Sequence, residues 1–135
     1  MSTVNKIRCW ILVFGSNCKG IHGAGTARMA LECYRAQWGV GEGRTGDAYA
    51  IPTKETPYKV RHLVDIHASV DLFLEYARAH PELDFRIVRV GCGLAGFIDE
   101  QIAPFFAGAP ANCWFDPRWE KYGLKPWSEA EDVQA

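Results

Sequence analysis

The strongest constraint on this chain is its first apolar run, residues 7–14, which reads Ile, Arg, Cys, Trp, Ile, Leu, Val, Phe and stops at Gly15, Ser16 and Asn17. A dense, β-branched run of this length, bounded by glycine, reads as a central strand with both faces covered, feeding a loop. After Gly20, Ile21, His22, Gly23, Ala24 and Gly25, apolar residues recur at helical spacing at Ala27, Ala30, Leu31, Tyr34 and Trp38, with Gly39 as the stop. Residues 49–51 read as a short strand ended by Pro52, since proline is poorly tolerated inside a fully paired strand. Lys54 would then lie just beyond that strand, and Pro57 and Tyr58 in a further loop.

Residues 62–79 contain neither proline nor glycine, and Ile66, Val70, Phe73 and Ala77 form one apolar stripe opposite Asp65, Glu75 and Arg78. His80 and Pro81 close that helix. Residues 84–90 read as a strand whose alternation is spoiled by Arg86 and Arg89, which suits a sheet edge or strand mouth. Asp99 is placed as the N-cap of a helix carrying Ile102, Phe105 and Phe106 and distorted near its first turn by Pro104. Residues 112–115 read as the last strand, and the acidic stretch at 129–132 as part of a solvated tail over residues 128–135.

Strands alternating with glycine loops and helices favour a single three-layer α/β/α domain over residues 1–135, with its core at about 7–115 and a mostly parallel or mixed sheet; a two-layer α+β arrangement is the alternative. Ligand loops in such folds lie at the carboxyl ends of the strands. Fifteen Lys and Arg against sixteen Asp and Glu leave no basic footprint, so direct nucleic-acid binding is not expected. Residues 1–6 lack the apolar region of a signal peptide and no stretch is long enough to span a bilayer, so a cytoplasmic chain without membrane partners is expected. Five cysteines without CxxC pairing read as free thiols packed as small hydrophobes, and four scattered histidines form no ligand grid. No obligatory metal or reducing cofactor is therefore expected.

Chemistry is concentrated in two glycine loops. Gly15, Ser16 and Asn17 with Gly23, Ala24 and Gly25 can bring backbone N–H groups around an anion, aided by the positive end of the helix that begins near Gly25. Gly91, Cys92, Gly93, Leu94, Ala95 and Gly96 follow a strand directly and can curl around phosphate in the same way. Neither loop has the Lys-Ser or Lys-Thr ending of a Walker loop or the GxGxxG dinucleotide fingerprint.

Together with Ala50, Ile51, Pro52, Thr53 and Lys54, these motifs resemble the macro-domain family over roughly residues 7–115, closest in pattern to its terminal ADP-ribose glycohydrolase-like branch, as a short divergent member. The resemblance implies a cleft across the strand ends that binds ADP-ribose or a related nucleotide derivative, free or attached to a macromolecule, with no cofactor. In that branch an asparagine ends the first strand, a lysine follows a threonine in the second motif, and an acidic residue follows the Gly-Cys-Gly-Leu sequence. Asn17 and Lys54 match, whereas Ala95 occupies the acidic position.

Hydrolysis of an ADP-ribosyl linkage would therefore need other groups. Lys54 can attract phosphate, orient a ribose hydroxyl or, if neutral, attack the anomeric carbon. His22, Asp99 and Glu100 are the candidates for moving a proton, with Asp99 and Glu100 alternatively serving the helix start. Asn17 can hydrogen-bond a ribose or its own turn. Tyr49, Phe97 and Phe115 offer ring surfaces for a base, with core packing as the alternative. The different-class reading is a structural or protein-interaction domain in which the glycine loops are packing turns.

Overall fold

The structure is a computed structural model that describes residues 9–133, with side chains described through residue 130. Residues 7–8 of the expected first strand, the N-terminal residues 1–6 and the last two residues of the expected tail lie outside it. The elements run β1 (Trp10–Asn17), α1 (Gly25–Cys33), β2 (Gly43–Thr45), β3 (Ala48–Thr56), β4 (Lys59–Val60), α2 (Leu63–Ala79), β5 (Asp84–Ile87), α3 (Asp99–Ile102), β6 (Cys113–Phe115) and α4 (Trp127–Val133). Two 3-10 helices, Ala103–Phe106 and Pro117–Tyr122, follow α3 and β6.

The sheet order is β2-β3-β1-β5-β6, with β4 paired to β3. β1 runs parallel to both β3 and β5, and β6 runs parallel to β5; the short β2 and β4 are antiparallel additions at β3. Strand alternation sends Ile11 and Val13 to one face and Leu12 and Phe14 to the other, and all four are buried. The first face carries the larger layer. There Ile66, Val70, Phe73, Leu74 and Ala77 of α2 pack with Phe85, Ile87, Ile102, Phe106, Phe115 and Trp119.

The second face sets Leu12 and Phe14 among five alanines. Ala27 and Ala30 of α1 pack over β1 and share one buried cluster with Leu12, Phe14, Ala48 and Ala50, so this helix lies close to the sheet. Helices on both faces of a largely parallel sheet make the domain a three-layer α/β/α arrangement.

Several elements depart from the expected boundaries. β3 continues through Pro52 to Thr56, and Lys54 belongs to the strand. Pro52 is tolerated because its carbonyl faces the outer side, where it accepts from Arg61 Nη1 at 3.0 Å, and β2 has already ended on that side at the Gly43–Ala50 pair. α1 stops at Cys33 rather than near Gly39, since Arg35 takes φ 60° and turns the chain back toward β2. Trp38 consequently lies outside the helix and is 57% exposed.

β5 ends at Ile87, three residues early, and Arg89 leaves the strand to pair with Asp99. The expected tail carries α4. Trp127 stacks on the Arg86 guanidinium, 4.7 Å from its ring centre, and Ala130 is fully buried. The acidic composition of residues 129–132 concealed that anchor. Of the cysteines, all free, only Cys113 is buried; Cys92 is half-buried and Cys9, Cys18 and Cys33 are exposed, so the expectation of buried thiols applies to one.

The two-faced burial makes a direct stability contrast. Phe73→Ala should lower the unfolding free energy by about 3–5 kcal/mol in urea denaturation, whereas Leu72→Ala, on the exposed side of the same helix, should change it by about 0.5 kcal/mol or less. Similar losses for both variants would contradict the assignment of α2's packed face.

Candidate functional site

The chain passes from β1 to β3 on one side of β1 and returns through α2 to β5 on the other. Such a reversal of strand order opens a crevice at the carboxyl ends, where the loops diverge. Here Gly15 of β1, Thr53 of β3 and Gly91 after β5 meet. A Cβ placed on Gly15 would lie 3.2 Å from the Gly91 nitrogen and 3.4 Å from Thr53 Oγ1, so any side chain would press on backbone. Gly91 has φ +78°, in the left-handed region that favours glycine, and a Cβ there would sit 3.3 Å from both Thr53 Cγ2 and Phe97 Cδ2.

Above these contacts lies a cavity of about 640 Å³, within the range of small-molecule sites. Gly15, Ser16 and Asn17, then Gly23, Ala24 and Gly25, then Thr53 and Lys54, and finally Gly91, Gly93, Leu94 and Ala95 all line it. Both glycine loops therefore border one cavity. Leu94 joins them at the rim, with its Cδ1 3.3 Å from a Cβ position at Gly25.

The second loop is closed on itself by hydrogen bonds from Cys92 N to Arg89 O, Gly96 N to Gly93 O and Phe97 N to Gly91 O, at 2.9–3.0 Å. That leaves the amides of Gly93, Leu94 and Ala95 without an acceptor among the described residues. Across the cavity, α1 begins at Gly25 with no side-chain cap and no acidic residue in its first turn. Its first amides, at Gly25, Thr26 and Ala27, belong to lining residues. Lys54 is the one charged side chain of the lining and makes no ion pair or hydrogen bond among the described residues.

The floor is held by committed polar groups. Asn17, 6% exposed, donates from Nδ2 to Ile21 O at 2.8 Å and accepts on Oδ1 from Ile21 N at 3.1 Å, which fixes the turn that leads toward α1. One Nδ2 hydrogen and one Oδ1 lone pair remain. Ser16 Oγ donates to Gly41 O, and Thr53 Oγ1 donates to Ser16 O at 3.3 Å.

The structure corrects several candidate roles. His22 does not line the cavity: it is 1% exposed, packed edge-on to Phe14, and its Nε2 donates to Gln37 O at 3.1 Å. Asp99 is the first residue of α3 rather than its N-cap, which is Ile98. Its carboxylate accepts from Arg89 Nε at 2.8 Å, Arg89 Nη2 at 3.0 Å and Trp119 Nε1 at 2.8 Å, and it too is absent from the lining. Glu100 is exposed and outside the cavity.

Cys92 and Gly96 also lie outside the lining. The Cys92 thiol turns to Val90 O, and burial, with Asp99 beside it, pushes its pKa up to about 12, so it is held protonated. Tyr49 and Phe115 are core rings and Phe97 packs against the same core. Sequence reasoning missed Ile21, Thr26, Ala27, Pro57 and Tyr58, which line the cavity. An aromatic residue between Pro57 and Lys59 in a tight turn was the available signal for Tyr58.

Among the described residues, no group of His, Cys, Asp and Glu is placed to hold a metal, and no helix is long and apolar enough to cross a membrane. Comparison with protein-family models and with curated protein sequences gives no match.

Asp99 makes a pH test of the support beneath the second loop. The Arg89 guanidinium, helped by the Trp119 N–H, lowers its pKa from 3.8 to about 2. A depressed carboxylate stabilises the fold fully above its unfolded value and loses that contribution as pH falls through the folded value. About 2 kcal/mol should thus be present above pH 4 and vanish toward pH 2. Urea titrations of the wild type and Asp99→Asn should differ by about that amount at pH 6 and converge at pH 2; a constant gap across this range would contradict the ion pair's role.

Proposed function

We propose that this domain recognises ADP-ribose or a closely related nucleotide derivative, seating the diphosphate between its two glycine loops. The observation that carries the reading is the pairing of unsatisfied amides at residues 93–95 with the uncapped start of α1 across one cavity whose sole charged side chain is Lys54. Oriented N–H groups and a helix N-terminus favour negative charge, and no lining carboxylate opposes it. The Lys54 ammonium supplies a charge-assisted hydrogen bond to a phosphoryl oxygen. The macro-domain resemblance of the same motifs points to the same ligand class.

Binding, rather than hydrolysis, suits this lining. Cleavage of an ADP-ribosyl linkage calls for a group that moves a proton at the reacting centre. The lining holds no carboxylate or imidazole, and Ala95 stands at the position where the resembled branch carries an acid. A site that holds the ligand without favouring the transition state is a recognition module.

Calorimetry with ADP-ribose beside AMP, ATP and NAD tests the ligand, and product analysis on an ADP-ribosylated protein tests turnover. Selective ADP-ribose binding without release of product is expected. Lys54→Ala should weaken that binding by about ten- to a hundredfold through loss of the charge-assisted bond, with the fold retained. Absence of binding by the wild type, or equal affinity in the variant, would contradict the proposal, and product release would replace recognition with hydrolysis.

A further inference from the structure

On the β3 side of β1, away from β5 and the second glycine loop, the cavity is bordered by the β3–β4 hairpin, whose turn carries Pro57 and Tyr58. Tyr58 is the only aromatic residue of the lining, and it is 96% exposed. Among the described residues its ring packs against no other ring and its hydroxyl has no hydrogen-bond partner. The hairpin beneath it is nonetheless braced. Tyr58 N donates to Thr56 Oγ1 at 3.1 Å, Lys59 pairs with Glu55 at 2.9 Å, and Arg61 Nη1 ties the outgoing chain to Pro52 O and Ser69 Oγ at 3.0 and 2.7 Å. The backbone that presents the ring is thus tied down while the ring itself is bare. Ile21 and Leu94, also in the lining, are 38% and 70% exposed.

We infer that Tyr58 is the stacking platform for the ligand's nucleobase, so that the site selects nucleoside diphosphate derivatives over simple phosphates. The inference rests on the proposed binding function and adds its second anchor: amides and Lys54 hold the charged group, and the phenol ring covers a flat base at the other end. An aromatic side chain with two rotatable bonds gives a large contact area at low entropic cost. Stacking tolerates different bases, because each has a π-face, so preference for the base is weaker than preference for having one.

Calorimetry on the full chain with ADP-ribose and with inorganic pyrophosphate separates the two anchors. Tyr58→Ala should weaken ADP-ribose about tenfold or more and leave pyrophosphate within about twofold, while Tyr58→Phe retains wild-type affinity for both, since stacking needs the ring and not the hydroxyl. Unchanged ADP-ribose affinity in Tyr58→Ala, or a parallel loss for pyrophosphate, would overturn the stacking role and leave the binding function standing. Failure of the wild type to bind ADP-ribose at all would overturn both.

Discussion

The close approach of three strand ends at Gly15, Thr53 and Gly91 governs the rest of this molecule. No side chain fits on Gly15 without pressing on the Gly91 backbone, so the chain leaving β1 and the chain leaving β5 meet through bare backbone. That contact sets the floor from which both loops rise. It also explains why glycine recurs at the ends of neighbouring strands: the requirement is steric at Gly15 and both steric and torsional at Gly91.

Around this point the layers are unequal. Small residues on α1 let this helix lie close to β1 and carry its amino end to the cavity, while the opposite layer fills its space with aromatic rings. Below the second loop, Asp99 links Arg89 at the exit of β5 to the buried Trp119. A carboxylate so engaged is a brace. The amides of Gly93, Leu94 and Ala95 have no acceptor among the described residues, because the loop's other hydrogen bonds and this ion pair hold its shape without them.

Much of the layered fold was legible in the sequence, because periodicity reports burial directly. The stripe Ile66, Val70, Phe73 and Ala77 is fully buried, and residues 11–14 are covered on both faces. Boundaries set by single backbone events were not legible. Arg35 in the left-handed region ends α1 five residues before Trp38's apparent helical phase would have done so, and no composition rule marks a non-glycine residue for that role. Pro52 was read as a strand end because its neighbours were unknown; once β2 stops short, its missing N–H costs nothing. In the expected tail Ser128 and Glu129 are exposed as their polarity suggests, whereas Ala130 is buried by α4, which a count of charge does not register.

For the cavity, the glycine motifs contain Gly15, Ser16, Asn17, Gly23, Ala24, Gly25, Gly91, Gly93, Leu94 and Ala95, which line it, but they also include Cys92 and Gly96, which do not, and omit Ile21, Thr26 and Ala27, which do. The acid–base candidates fared differently. His22, Asp99 and Glu100 were chosen by proximity in sequence, and the first two are engaged by Gln37 and by Arg89 and Trp119 instead. Tyr58 could not be placed without the hairpin that brings it to the cavity.

The central claim is that two loops far apart in sequence hold one anion. Amide-resolved NMR during titration with ADP-ribose reads both loops at once. The expected result is concerted movement of the Gly25, Thr26 and Ala27 signals with those of Gly93, Leu94 and Ala95, saturating at one ligand per chain. Shifts confined to one loop, or saturation of the two loops at different ligand concentrations, would contradict it.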